Sequence, residues 1–215
     1  MKKRLLSAMA SLLFGTAVMT AQTTTWNFSD TAAWPISSGY PSPTVVNNLG
    51  FITGSTTTTG AVEANNATFD GFSFTQRMKL NGGSYVSGTT NFAMPTQRAV
   101  YFDVAGASTI KLWYKNGGGN TRTVYVTDGT VVLASFPYTD STVGQVATVN
   151  YTGAAGRIYV AADQAINFYK ISVESTTLAT VDASKSAATI FSVGNLVHVK
   201  NLNVNTKKLQ WVWKL

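Results

Sequence analysis

Arg98-Ala99-Val100-Tyr101-Phe102-Asp103-Val104, followed after a turn at Gly106 by Thr109-Ile110-Lys111-Leu112-Trp113-Tyr114, decides the fold class of this 215-residue chain. In the first run Val100, Phe102 and Val104 fall on one side, with Tyr101 and Asp103 opposite. In the second, Ile110, Leu112 and Tyr114 share a side, with Lys111 and Trp113 opposite. A period of two with one apolar face marks a strand buried on one side only. The alternation recurs where Val124 and Val126 oppose Tyr125, and where Ile158 and Val160 oppose Tyr159. Successive half-buried strands predict two antiparallel sheets packed face to face: an all-β, jelly-roll-like sandwich.

Working outward, β-branched and aromatic runs at 23–28, 49–53, 75–80, 98–104, 109–114, 122–127, 131–136, 147–151, 157–161 and 166–173 read as strands between Gly, Asn and Asp turns. Asp128-Gly129 reads as a tight hairpin in which both positions tolerate positive φ. Residues 116–120, with three glycines, read as a longer hairpin loop. Residues 34–43 and 54–66 are poor strand material and read as long loops or irregular coverings. The predicted core is Val100, Phe102, Val104, Ile110, Leu112, Val124, Val126, Ile158, Val160, Ile171 and Val173, with Trp26 and Phe28 joining it.

The ends read differently. Lys2, Lys3 and Arg4 precede an apolar run at 5–18 and the small-residue junction Ala21-Gln22, which predicts a secretory signal peptide over 1–21. The apolar run is shorter than the roughly 20 residues that span a membrane, so the chain is not expected to cross one. The sandwich is assigned to 22–174. A small, polar linker follows at 175–186, then two short strands at 189–193 and 196–199 around Gly194-Asn195. A secreted or cell-surface location follows, or a periplasmic one if the tail does not sort.

Charge and residue types exclude whole classes of chemistry. The net charge is +7, but of the 16 basic residues three leave with the signal peptide and five lie in 185–214. The body keeps eight basic residues against eight acidic ones, so no nucleic-acid partner is expected. Without cysteine there is no disulfide, thiolate metal site or thiol nucleophile. The single histidine, His198, lies in the tail, which removes Ser-His-Asp catalysis from the body. The acids fall mostly in turns and at strand ends and form no acid/base motif. No enzyme and no cofactor are expected. Asp30 with Asp70 or Glu174 would offer oxygen ligands to calcium if the ends of the sandwich converged, although no spacing resembles a calcium loop.

Outward-facing rings remain. Tyr101, Trp113, Tyr125 and Tyr159 all oppose the aliphatic side of their strands, and flat rings complement the apolar C–H faces of sugars. Lys111, Arg122, Arg98 and Arg77 would hydrogen-bond hydroxyls or pair with acidic sugars. Trp113, the largest ring, leads this set. In the competing reading the loops of 34–66 cover these rings.

Two resemblances add to these readings. Residues 25–174 resemble the non-catalytic β-sandwich modules of secreted polysaccharide-degrading proteins, notably those attached to pectate-lyase-like enzymes. The resemblance is carried by Thr25-Trp26-Asn27-Phe28-Ser29, Arg77-Met78-Lys79-Leu80-Asn81-Gly82-Gly83, the run from Arg98 to Val104, Gly106, Ile110-Lys111-Leu112-Trp113 and Asn167-Phe168-Tyr169-Lys170-Ile171. Residues 187–205, with Phe191-Ser192-Val193-Gly194-Asn195 and Val199-Lys200-Asn201-Leu202, resemble the first strands of a type IX secretion C-terminal sorting domain. Lys207-Lys208-Leu209-Gln210-Trp211-Val212-Trp213-Lys214-Leu215 departs from that pattern, so 187–215 reads as an incomplete sorting domain. Together the resemblances imply a secreted, carbohydrate-binding-like module directed at cell-wall or algal polysaccharide, with the type IX secretion machinery as partner if the tail functions. A structural or adhesive surface protein without a glycan ligand, and a fragment of a larger polysaccharide lyase, stand as alternatives.

Overall fold

The computed structural model describes residues 22–175 and, further on, the backbone of 189–193 and 196–200. Twelve strands form the body: β1 (Thr23–Asn27), β2 (Thr44–Val46), β3 (Leu49–Ile52), β4 (Ala61–Phe69), β5 (Phe72–Lys79), β6 (Ala99–Val104), β7 (Ser108–Asn116), β8 (Arg122–Thr127), β9 (Val132–Tyr138), β10 (Gln145–Tyr151), β11 (Gly156–Ala162) and β12 (Ile166–Ser175). No helix occurs among the described residues. Sheet one runs β10-β7-β12-β5-β4, with β1 also paired to β12; sheet two runs β2-β3-β6-β11-β8-β9. Every pairing is antiparallel. The chain is an all-β sandwich.

The alternation in the sequence becomes the packing. Ile110, Leu112, Ile171 and Val173 of sheet one join Val100, Phe102, Val104, Val124, Val126, Ile158 and Val160 of sheet two in one buried cluster. Trp26 closes on Phe102 across the sandwich with ring centroids 5.0 Å apart. Each such side chain contributes roughly 1.5–3 kcal/mol by leaving water. Residues 34–43 cover one flank of this core. Trp34 is buried edge-on to Phe28, at 5.0 Å between centroids. Single bridges Ser37↔Val62 and Tyr40↔Thr59 bind the segment to its neighbours.

Two expectations are corrected. Residues 54–66 are not all loop: from Ala61 they form the first half of the nine-residue β4, which pairs with β5 across a bulge between Ala64 and Ala67. Its Ala and Asn residues are weak strand formers, and only Val62 and Ala67 are buried, so neither propensity nor alternation announces the strand. Its partner supplies the order. The tight hairpin expected at Asp128-Gly129 is a wider loop, because Thr127 pairs with Val132 and only Gly129 has positive φ, at 88°. Two-residue turns with both φ positive occur at Asn47-Asn48, 50° and 65°, joining β2 to β3, and at Asp70-Gly71, 52° and 72°, joining β4 to β5. That geometry matches the twist of a hairpin.

Residues 80–98 form a strap over the outer face of sheet two. Buried Ser84 pins it: its N–H donates to Ala162 O (2.7 Å), its hydroxyl donates to Arg98 O (2.7 Å), and its Oγ accepts from Ala162 N–H (2.9 Å). In the C-terminal region β13 (Thr189–Val193) and β14 (Leu196–Lys200) pair antiparallel as a two-stranded sheet. The predicted signal peptide and most of the predicted linker lie outside the described residues.

Candidate functional site

The predicted site residues separate into three places. Trp113 and Lys111 lie on the outer face of sheet one. Lys111 is exposed, but Trp113 is only 5% exposed, and this corrects the reading of its ring as an open stacking surface. The β4–β5 hairpin folds over it. The indole N–H donates to Asp70 Oδ2 at 2.7 Å, and Phe72 stands edge-on at 5.7 Å. Ala67, Phe74 and Tyr169 complete a second, smaller apolar cluster. Lys170 Nζ sits 3.9 Å from the Phe72 ring centre and 4.4 Å from that of Trp113. Desolvation there lowers the Lys170 pKa, with Asp70 opposing the shift.

Tyr101, Tyr159 and Tyr125 lie on the outer face of sheet two. Tyr101 pairs with Tyr159 in register, their rings 6.1 Å apart. The Tyr101 ring lies flat across Gly50, where a Cβ would come within 2.1 Å of a ring carbon. On its other side the Arg157 guanidinium stands 4.2 Å from the ring centre, held by Asp103 through Nε–Oδ1 (2.8 Å) and Nη2–Oδ2 (3.3 Å). Tyr101 is therefore packed by both Gly50 and Arg157. A shallow depression of about 490 Å³ beside it is lined by Asp103, Arg157 and Tyr159. Tyr125 is stacked on Phe92 at 4.7 Å and 2°, with Tyr85 edge-on at 5.8 Å. The cover is the 80–98 strap, not the 34–66 loops of the sequence expectation.

Arg77, Arg98 and Arg122 belong to one end of the sandwich, near the β11–β12 connection. Arg122 Nη1 donates to Ala165 O (2.5 Å), and its guanidinium fills the space where side chains at Gly117 and Gly118 would stand. Gly117 itself approaches so closely that a Cβ would lie 2.5 Å from Ala165 O. Arg98, at φ 44°, packs its guanidinium on Gly82. Arg77 Nε donates to Glu63 Oε1 at 2.8 Å, and Lys79 Nζ donates to Glu63 Oε2 at 3.1 Å. Partial burial pushes the Glu63 carboxyl up, but the hydrogen bonds and charges of Arg77 and Lys79 outweigh it and hold its pKa below the ordinary value.

These elements enclose a polar depression of about 430 Å³, lined by Arg77, Lys79, Asn81, Asn116, Asn167 and the Gly117-Gly118 loop. Asn116 shapes that loop: its amide donates to Asn120 O (2.7 Å), Tyr138 O (2.8 Å) and Thr139 O (3.1 Å), and accepts from Gly118 N–H (3.0 Å). Asn167 is the contrasting case. It is 6% exposed, its backbone lies in the ladder between Lys79 and Lys115, and its amide has no partner among the described residues. The residue lines the depression, so its amide is left to water or to a ligand's hydroxyls. Sequence reasoning did not select Asn167. An Asn between Ile166 and Phe168, at the apolar start of a strand, was the available signal, since Asn is depleted in strands.

The acids considered for calcium are engaged separately. Asp30 Oδ1 accepts from the N–H groups of Ala32 and Ala33 (both 3.2 Å), Asp70 serves Trp113, and Glu174 is exposed opposite Thr23. Among the described residues no three acidic or imidazole side chains come together to hold a metal ion. No pair of carboxylates lines either depression.

No family model and no curated protein matches the chain. Solved structures are similar to it at low identity and low TM-score. CBM35 from Cellvibrio japonicus Abf62 is 16% identical, with a TM-score of 0.37 over 73% of this chain and 95% of that one. A family 35 carbohydrate binding module from an environmental isolate is 18% identical, with a TM-score of 0.35 over 56% and 88%. The K3 cleaved adhesin domain of Lys-gingipain from Porphyromonas gingivalis is 14% identical, with a TM-score of 0.33 over 50% and 78%. These likenesses concern the fold alone.

Proposed function

We propose that the chain is an exported, non-catalytic module that binds polysaccharide of cell-wall or algal origin, and that the depression around Asn167 is its binding site. The observation that carries this reading is the unpartnered Asn167 amide in the wall of a depression that also presents Arg77, Lys79 and Asn81. Vicinal sugar hydroxyls both donate and accept. An amide answers both roles, while guanidinium and ammonium groups supply further donors. The signal-like start supports export, and the type IX machinery is the partner proposed for the tail.

The test is retention on affinity gels cast with neutral and acidic glycans. Replacing Asn167 with Ala removes the amide, so retention should weaken about tenfold while the Tm changes little, a hydrogen bond to a ligand contributing roughly 1–1.5 kcal/mol. A large fall in Tm, or unchanged retention, would move the site elsewhere. Failure of the unmodified chain on every glycan would favour the adhesive or structural alternative.

A further inference from the structure

We infer that this depression takes a saccharide bearing an anionic group, a carboxylate or a sulfate ester; the inference rests on the reading of the depression as a glycan site. The charge around it does not balance. Arg77 and Lys79 share the single carboxylate of Glu63, which leaves one positive charge in surplus. Arg122 lies against the Gly117-Gly118 loop that lines the same depression, and it makes no salt bridge among the described residues. Its Nη1 is on a backbone carbonyl, and its Nε is buried without a hydrogen-bond partner. No Asp or Glu is among the residues lining the depression.

The rest of the body does not share this excess. Residues 22–174 hold equal numbers of acids and bases. On the opposite sheet Arg157, beside the other depression, is paired with Asp103. Arg77 and Lys79 outnumber Glu63 at this partly enclosed polar site, with Arg122 behind its loop, and such an excess within a neutral domain selects for anions because field lines concentrate where water is thinned. Lys79 offers a point charge and Arg77 a planar fork, the two donor geometries that meet a carboxylate or sulfate oxygen. Asn167 then takes an adjacent hydroxyl with the free amide. A neutral sugar would satisfy Asn167 but leave the cations unanswered.

The experiment uses the full chain on four gels: polygalacturonate, its fully methyl-esterified form, a sulfated galactan and the same galactan desulfated. Retention should be at least about tenfold stronger on one or both charged polymers than on the matched neutral one, and should fall as NaCl is raised, as expected for ion pairing. The pair that discriminates shows whether carboxylate or sulfate is the group. Lys79→Gln should reduce retention on the charged polymer roughly fivefold more than on the matched neutral one, while Lys79→Arg restores it. Arg122→Lys should retain most of the preference and Arg122→Gln lose it. Because Arg122→Gln also breaks a contact with Ala165, the Lys79 pair decides if that variant does not fold. Equal retention on charged and neutral polymers, with Asn167→Ala weakening both, would overturn the inference and leave the glycan reading standing. Charged retention that survives Lys79→Gln and Asn167→Ala would place it on other basic residues, such as those of the tail, and would also overturn it. No retention on any gel defeats both.

Discussion

Trp113 shows how a single side chain depends on what covers it. Alternation places it opposite Ile110 and Leu112, and the structure keeps it there. Its exposure is decided by Asp70 and Phe72, more than forty positions earlier, which close over the ring. Replacing Trp113 with Ala removes a buried indole, so equilibrium urea unfolding should show a loss of about 3–5 kcal/mol. A change below about 1 kcal/mol would mean the hairpin does not seat on the ring. The same reasoning applies to Asn167. Its residue type was plain in the sequence, but its missing partner is a property of its surroundings.

At the scale of elements, the β4–β5 hairpin is the piece least visible in the sequence. Asp70-Gly71 carries the same dipeptide as Asp128-Gly129, yet only the first adopts two positive φ values. The difference lies in the flanking register, because Phe69 pairs directly with Phe72 whereas the β8–β9 ladder shifts before its turn. Two glycines near this hairpin predict contrasting outcomes. A Cβ at Gly71 meets nothing within 4 Å, so Gly71→Ala should cost only the left-handed backbone penalty of about 1–2 kcal/mol. A Cβ at Gly144 would lie 2.2 Å from the Phe69 ring. Gly144→Ala should therefore displace Phe69, lowering the Tm and raising hydrogen exchange in β4 and β5, which Gly71→Ala should leave protected. Equal exchange in the two variants would show that Phe69 does not hold the hairpin.

For the whole molecule, stability should form a plateau between acid and alkaline limbs. Glu63 is held below its ordinary pKa by Arg77 and Lys79 against its desolvation, and Asp128 and Asp140 by hydrogen bonds from Thr130 and Thr142 and neighbouring backbone N–H groups. A depressed carboxylate contributes stability that is complete above its unfolded pKa, near 4, and lost as pH falls through the folded value. Burial, with Tyr138 nearby, pushes the Tyr114 phenol up to about 12. Its contribution is complete below the unfolded pKa near 10 and lost as pH rises through the folded one. Thermal melts should therefore show a flat Tm from about pH 5 to 9, falling on both sides, and Glu63→Gln should flatten the acid limb. A Tm that rose on acidification from pH 5 to 3 would contradict the Glu63 pairing.

The alternation of Val100, Phe102 and Val104, and its repetition in later strands, by itself determined the class of fold, the core and most strand positions. Side-chain period is a local property of the backbone, so it survives in the order of residues. The lack of cysteine likewise excluded disulfides and thiolate chemistry, which depend on residue type alone. Period two states which side a residue faces and says nothing of which strand lies beside it or what lies above it. The tertiary structure alone decided that the 80–98 strap would cover Tyr125 and that Arg157 would take the open face of Tyr101. It also brought Arg77, the Asn116 and Arg122 ends of one loop, and Asn167, from three separate parts of the chain, to one end of the sandwich. The reason is physical: strand order is chosen by the summed burial of the whole core, and that order decides which polar groups meet at one end of the sandwich.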